Sequence, residues 1–501
     1  MRRMAGVAVC GAWLLWAGDM AGGGEAGYEV FDILTASSPS GSRDREWRPG
    51  DELALEVSGM DWAGPDRLAV AIRKGEVWFV DGVLGDEASG VTFHRFAAGL
   101  HEPLGLLRDG DSYLVAQRTE VTRLRDSNGD GEADEYMVAA RGWNVSGNYH
   151  GYAYGPERDG EGKLWVGLNV DIGEGADNGG AWRGWAVTMD GEGGVVPMAA
   201  GLRSPCGLGA NREGDMFVSD QQGNWVAATP IHHLRRGVFF TNPEGLGSQE
   251  LEGSPVKLSA PVPVGVSYPE AVRGVPEMAP PAVWLPYNKM GRSATDIQLI
   301  DAGGKFGPFD GQLLVGEFTN SAISRVFLEK VGGEYQGACF PFLDGFPAAV
   351  LRLAFAPDGS LFVGMSNRGW SSLGARSYGL QRVRWGGEVP FAIREMRAMP
   401  DGFELEFTRA VDLGSAGDRS GYGLGSFTYQ YSAAYGSDEI DRREHEIERA
   451  EVGEGGLVVR LWVEGLRELY VHELDAGGVR SAGGEVLRHP RAWYTLNRLP
   501  E

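Results

Sequence analysis

The chain has 501 residues, with 46 Lys+Arg against 69 Asp+Glu and a formal net charge of -23. That balance argues against a nucleic-acid partner, which needs a basic footprint, and against docking on an anionic membrane surface. A hydrophobic share of 43% with 23% charged residues excludes a disordered chain, and the 78 glycines are roughly twice the usual share of about 7%.

Residues 1–26 read as a secretory signal: Arg2 and Arg3, an apolar core from Val7 to Trp16, then small residues up to Ala26. The expected location is therefore periplasmic or secreted. The apolar core is too short for a membrane span and no later stretch is longer, so no span is expected after signal cleavage. Cys10 leaves with the signal. Cys206 and Cys339 remain, either paired or free.

From residue 27 one phrase recurs: an apolar stretch, a Gly turn, then a strand ending in a polar loop. It occurs at 67–80, 105–117, 152–169, 207–223, 310–318 and 353–369. Gly at the turn gives the backbone freedom that a tight hairpin needs. The spacing is that of four-stranded propeller blades. The predicted fold is all-β: a six-bladed β-propeller over 27–400, followed by a small C-terminal β-sandwich over 401–501. EVFDILTASSP near the start is a candidate closing strand. The Pro-rich stretch 228–300 breaks the pattern and reads as a long insert laid over one propeller face. Beyond 401, GFELEFTRAV, SFTYQYSAAYG and GLVVRLWVEGL alternate without the blade phrase.

The sharpest short motif is DSNGDGEADE. Asp126, Asn128, Asp130 and Asp134, with the carbonyl of Glu132, place oxygens at alternating positions around Gly131. That is the first half of an EF-hand-type loop without its helices or its closing Glu. It predicts a calcium ion stapling a loop. The other reading is a solvated acidic turn.

Three polar clusters leave corresponding blade positions. They are Trp143 to Gly151, which holds Asn148, Tyr149 and His150; Arg203-Ser204-Pro205-Cys206 with Gln221, Gln222, Asn224 and Trp225; and Tyr287 to Ser293, which holds Lys289. Arg352 opens the last blade and Arg368 leaves it. Equivalent loops of a propeller converge on its channel, so these cations predict one positive pocket for a multiply anionic ligand. His150 is the candidate general base, with Tyr149 and Arg203 beside it. Asn148, Gln221, Gln222, Asn224 and Trp225 are candidate substrate contacts. Each has a structural alternative: His150 as a loop cap, Arg203 and Arg352 as channel-lining arginines, Arg368 as a rim residue. The pair His232-His233 lacks a third ligand at metal spacing, and no GxSxG, Walker or HExxH motif occurs.

TRLRDSNGDGEADEY, GWNVSGNYHGYAYGP, GLRSPCGLGANREGDMFVSDQQGNWV and LRLAFAPDGSLFVG resemble the soluble glucose/sorbosone dehydrogenase-like propellers, which are pyrroloquinoline quinone enzymes with six blades. More closely they resemble the exported propeller modules of planctomycetes and verrucomicrobia called membrane-bound dehydrogenase-like. The resemblance implies a His base, here His150, and a quinone held by Arg203, Lys289, Arg352 and Arg368. The Asn that follows the first Arg in those enzymes is Ser204 here. The implied function is oxidation of a sugar or polyol hydroxyl, with a separate protein or molecule accepting the electrons. Two alternatives share the pocket: a lyase or hydrolase of acidic polysaccharide using His150 and Tyr149, and a noncatalytic carbohydrate-binding propeller.

Overall fold

The computed structural model describes residues 27–34, 54–86 and 88–501. The expected signal over 1–26 lies outside the described residues. Among the described residues the strands form six four-stranded antiparallel sheets and one nine-stranded sheet. Among the described residues the fold is all-β and the helices are short, none long and apolar enough to cross a membrane.

Each copy of the repeated phrase falls in a different sheet. The first sheet runs Val57–Gly64, Arg67–Ile72, Glu76–Asp81, Thr92–Ala98. The second begins at Leu107–Asp109, the third at Ala153–Arg158 and the fourth at Pro205–Ala210. The fifth begins at Ala294–Leu299 and the sixth at Val350–Phe355. The first strand of each sheet contacts the first strand of the next, and the sixth contacts the first. The sixth sheet takes its fourth strand from the other end of the chain: Tyr28–Asp32 pairs antiparallel with Tyr378–Trp385. The candidate closing strand near the N-terminus thus has that place.

The glycine excess has a packing cause at these junctions. A Cβ on Gly207 would sit 1.9 Å from the Thr295 carbonyl oxygen of the next sheet. A Cβ on Gly105 would sit 2.0 Å from the Gly155 carbonyl oxygen. First strands approach this closely only where a side chain is missing.

The C-terminal region differs from the expected separate unit in two ways. Its sheet of Ile393–Met399, Gly402–Phe407, Val458–Val463 and Ile447–Val452 starts before residue 401. Its other strands extend the fifth sheet, because Arg491–Leu496 pairs with Glu334–Leu343 and continues through Tyr470–Asp475 to Gly423–Tyr431. The sheet that starts at Ile393 shares a core with this extension, built around Phe403, Leu461, Leu474 and Tyr494.

The 228–300 stretch also departs from expectation. It carries two strands of the fourth sheet, Thr229–His233 and Val283–Leu285. Between them, Val266–Ser267 pairs with Gly423–Tyr431 and the helix Tyr268–Gly274 packs on the same strand. The prolines and apolar residues there serve as mortar between the fourth sheet and the C-terminal strands, not as a cover over a face.

Candidate functional site

His150, Arg203, Gln221, Asn224 and Arg368 line one cavity of ≈ 440 Å³. That volume lies within the usual range for small-molecule sites, about 300–1,000 Å³. All five are among the residues that the sequence places on loops converging on one channel.

Two buried arginines fix the loop that carries His150. Arg118 donates to the carbonyls of Asn148 at 2.9 Å and Tyr149 at 2.6 Å. Arg183 donates to those of Asn144 at 2.7 Å and Tyr152 at 3.0 Å. Asn148 is buried, donates to the Ile172 carbonyl at 3.1 Å and accepts from the His150 amide at 2.9 Å. It fastens the loop and does not line the cavity. Burial, then the Arg203 and Arg118 charges, hold the His150 imidazole below its usual range. Asp171 and the Ile172 carbonyl oppose them. The ring is therefore neutral at pH 7, in the form that accepts a proton.

Arg203 is buried, and its Nε has no hydrogen-bond partner. Its Nη1 has only long contacts, 3.4 Å to Ser204 Oγ and 3.5 Å to the Gln222 carbonyl. Asp220 does not neutralise it by contact, because that carboxylate accepts the backbone N–H groups of Arg203, Ser204 and Gln221 at 2.6–2.9 Å. Burial pushes the Asp220 carboxyl up to about 6. A buried guanidinium with an unused N–H is costly unless an anion completes it.

The other two cations are already compensated. Arg368 pairs with Glu56 at 3.0 Å. Arg73 donates to the Arg368 carbonyl at 2.8 Å and faces Glu102 at 3.4 Å. Burial works against ionising Glu102, but Arg118, Arg73 and Arg368 together hold its carboxyl below the usual range.

Sequence reasoning missed Trp370 and Tyr435 in the cavity wall. Tyr149 meets the His150 ring at 5.5 Å and Trp370 at 5.7 Å, and Trp370 is 46% exposed at the mouth. Tyr435 comes from the C-terminal strands. Its backbone bridges to Asn224, and Gly436 N–H donates to the Gly223 carbonyl at 2.9 Å. The Arg203 guanidinium lies 5.3 Å from the Tyr435 ring centroid. Pairing across more than two hundred residues leaves no local signal.

Other expected site residues stand elsewhere. Lys289 is held by Glu439 at 2.8 Å and Glu473 at 3.0 Å, among the C-terminal strands. Arg352 is buried outside this cavity, where it donates to the carbonyls of Ser58 at 2.9 Å, Leu104 at 2.9 Å and Cys206 at 3.2 Å. Gln222 is buried and donates to the Ala227 carbonyl at 3.1 Å. Trp225 packs on Tyr431 at 5.5 Å. Cys206 and Cys339 are both free and buried, so they do not pair.

The calcium expectation rests on the 126–134 loop. Among the described residues no group of three or more His, Cys, Asp or Glu side chains stands together to hold a metal ion. The loop is closed by its own backbone. Asp126 accepts from the amides of Gly129 at 2.7 Å and Gly131 at 2.9 Å. Asn128 and Asp130 accept from amides two residues on, and Asp134 binds Ser127 through its amide and hydroxyl. Glu132 gives its amide to Asp130. Short Asx turns of this kind satisfy an acidic loop without a cation.

A quinone with several carboxylates is tested by the same geometry. Arg203, Arg73 and Arg368 around the cavity, with the unpartnered Nε of Arg203, fit such a group. Lys289 and Arg352 have no part in it.

Solved structures of sugar dehydrogenases resemble the described chain only distantly. A putative oxidoreductase (glucose dehydrogenase) from Thermus thermophilus is 16% identical, with 71% of this chain and 100% of that chain covered and a TM-score of 0.49. The soluble aldose sugar dehydrogenase of Escherichia coli, in its apo form, is 12% identical with 72% and 99% covered and a TM-score of 0.46. The PQQ-bound aldose sugar dehydrogenase of Streptomyces coelicolor is 13% identical with 72% and 100% covered and a TM-score of 0.44. No curated protein matches the chain. The chain belongs to the family described as Domain of unknown function (DUF7133), which matches residues 86–364. That match spans the loops of His150 and Arg203 and stops short of Arg368, Trp370 and Tyr435.

Proposed function

We propose that the six sheets are the blades of a closed propeller, that the C-terminal strands form a sandwich fused to its fifth blade, and that the exported protein oxidises a hydroxyl of a sugar or polyol. The observation that carries this reading is the buried Arg203 guanidinium with its free Nε, across the cavity from a neutral His150. A pyrroloquinoline quinone-type group would supply the two-electron acceptor. Arg203 would hold its carboxylates, with Arg73 and Arg368 at the same cavity. Ser204 stands beside Arg203 with its amide anchored on Asp220.

His150 takes the proton from the substrate hydroxyl. Its ring is kept in place by the arginine-fixed loop and by Tyr149 and Trp370, so it meets the hydroxyl without rearrangement. Trp370 and Tyr435 offer apolar faces to a pyranose ring. The lyase reading would use Tyr149 as the acid beside His150; its hydroxyl accepts a long 3.4 Å hydrogen bond from Arg73.

Titrating the whole protein with pyrroloquinoline quinone, followed by absorbance and by dye reduction with aldoses, tests this. Arg203→Ala should weaken quinone binding at least about tenfold, the loss of one charge-assisted pair. His150→Ala should keep that binding and lower kcat by about 10²–10⁴. No binding at micromolar quinone would overturn the reading.

A further inference from the structure

A second concavity lies where the 228–300 stretch meets the end of the chain. It has a volume of ≈ 660 Å³ and shares no residue with the His150 cavity. Four arginines reach it from three separate segments: Arg235 and Arg236 after the strand Thr229–His233, Arg273 at the end of the helix Tyr268–Gly274, and Arg498 after the last strand.

The cleft also contains Glu277, Glu334 and Glu468, but these carboxylates are engaged. Glu334 pairs with Arg235 at 2.9 Å. Glu277 accepts from the amide and hydroxyl of Ser259, and Glu468 accepts from the Leu499 amide at 2.9 Å. Arg236 donates to the Pro197 carbonyl at 3.1 Å. Arg236, Arg273 and Arg498 make no ion pair among the described residues. The Nε of Arg235 is buried and has no partner.

Asp+Glu outnumber Lys+Arg 69 to 46 in this chain. Acidic partners are plentiful, yet the solvent-exposed Arg236, Arg273 and Arg498 all face one concavity without one. The floor is firm: Asn497 donates to the carbonyls of Pro281 at 2.8 Å and Tyr335 at 3.2 Å. Planar guanidiniums on a fixed frame suit oxyanions, which they bind through paired N–H groups.

We propose that this cleft is an oxyanion-binding site for carboxylate or sulfate groups. The ligand is either a small free oxyanion or an acidic saccharide chain, and both present the same chemistry. Calorimetry on the whole protein separates them, using sodium sulfate in one arm and a sulfated hexasaccharide in the other. The expected result is binding that weakens as NaCl rises from about 50 to 500 mM. Tighter binding of the hexasaccharide than of sulfate assigns a chain, and equal or tighter binding of sulfate assigns a small oxyanion. Arg273→Gln with Arg498→Gln should weaken either at least about tenfold. Neither side chain holds an ion-pair partner, so the double variant should keep the melting temperature of the parent. The absence of heat with both probes, equal affinity in the double variant, or equal binding of a neutral hexasaccharide would overturn the proposal.

Discussion

His232 is enclosed on every side. Its ring stacks on Phe240 with centroids 4.2 Å apart, and neither nitrogen has a partner. Burial pushes its pKa down to about 3. The folded state therefore keeps the ring neutral while the unfolded chain protonates it below about 6.5. Its contribution to stability is present above 6.5 and is lost as pH falls toward 3. His232→Phe should gain on the parent as pH drops from 6.5 to 4, by roughly 1.4 kcal/mol per pH unit. Parallel melting-temperature profiles would refute this. Gly207→Ala should cost about 1–3 kcal/mol, because the new methyl meets the backbone of the next sheet; chemical denaturation reads it. His150, Arg203 and Arg368 could be singled out from sequence because each flanks a recognisable strand: His150 and Arg203 just before Ala153–Arg158 and Pro205–Ala210, and Arg368 just after Leu361–Ser366. The partners of Lys289 and Arg352 were not legible there. Glu439 and Glu473, which claim the lysine, lie more than a hundred residues away, and so do the Ser58, Leu104 and Cys206 carbonyls that claim Arg352.

At the level of elements, the strand Tyr28–Asp32 holds the most leverage for its length. It joins the two ends of the sheet series, and the Tyr28 hydroxyl donates to the Phe306 carbonyl at 2.9 Å. Tyr28 is 4% exposed and packs edge-on against Phe342. Tyr28→Ala should cost about 3–5 kcal/mol, the usual scale for a large buried aromatic, and urea unfolding measures it. The six hairpins were readable from sequence because glycine turns and alternation are local. The course of the 228–300 stretch was not. Its strand Val266–Ser267 exists only through pairing with Gly423–Tyr431.

For the whole molecule, the continuous nine-stranded sheet decides what can be cut away. Ending the chain at residue 400 would strip Arg491–Leu496 from Glu334–Leu343 and Tyr435 from the cavity. The bared strand edge should send the product into aggregates, visible by size-exclusion chromatography. A monodisperse, folded product would count against that continuity. Chelator or added calcium should leave the melting temperature of the full chain unmoved, since the 126–134 loop is satisfied by its own amides.

Arg352 gives that architecture a direction. The ≈ 440 Å³ cavity and a ≈ 320 Å³ cavity containing Asp61, Glu157 and Asp296 share Cys206 as a wall residue. The guanidinium of Arg352, held by the Ser58, Leu104 and Cys206 carbonyls, lines the second cavity. Under the proposed oxidation, a proton taken by His150 would leave through the cavity that admits the substrate. The second cavity, where burial and the neighbouring Asp296 and Asp61 lift Glu157 to about 8, has its own lining.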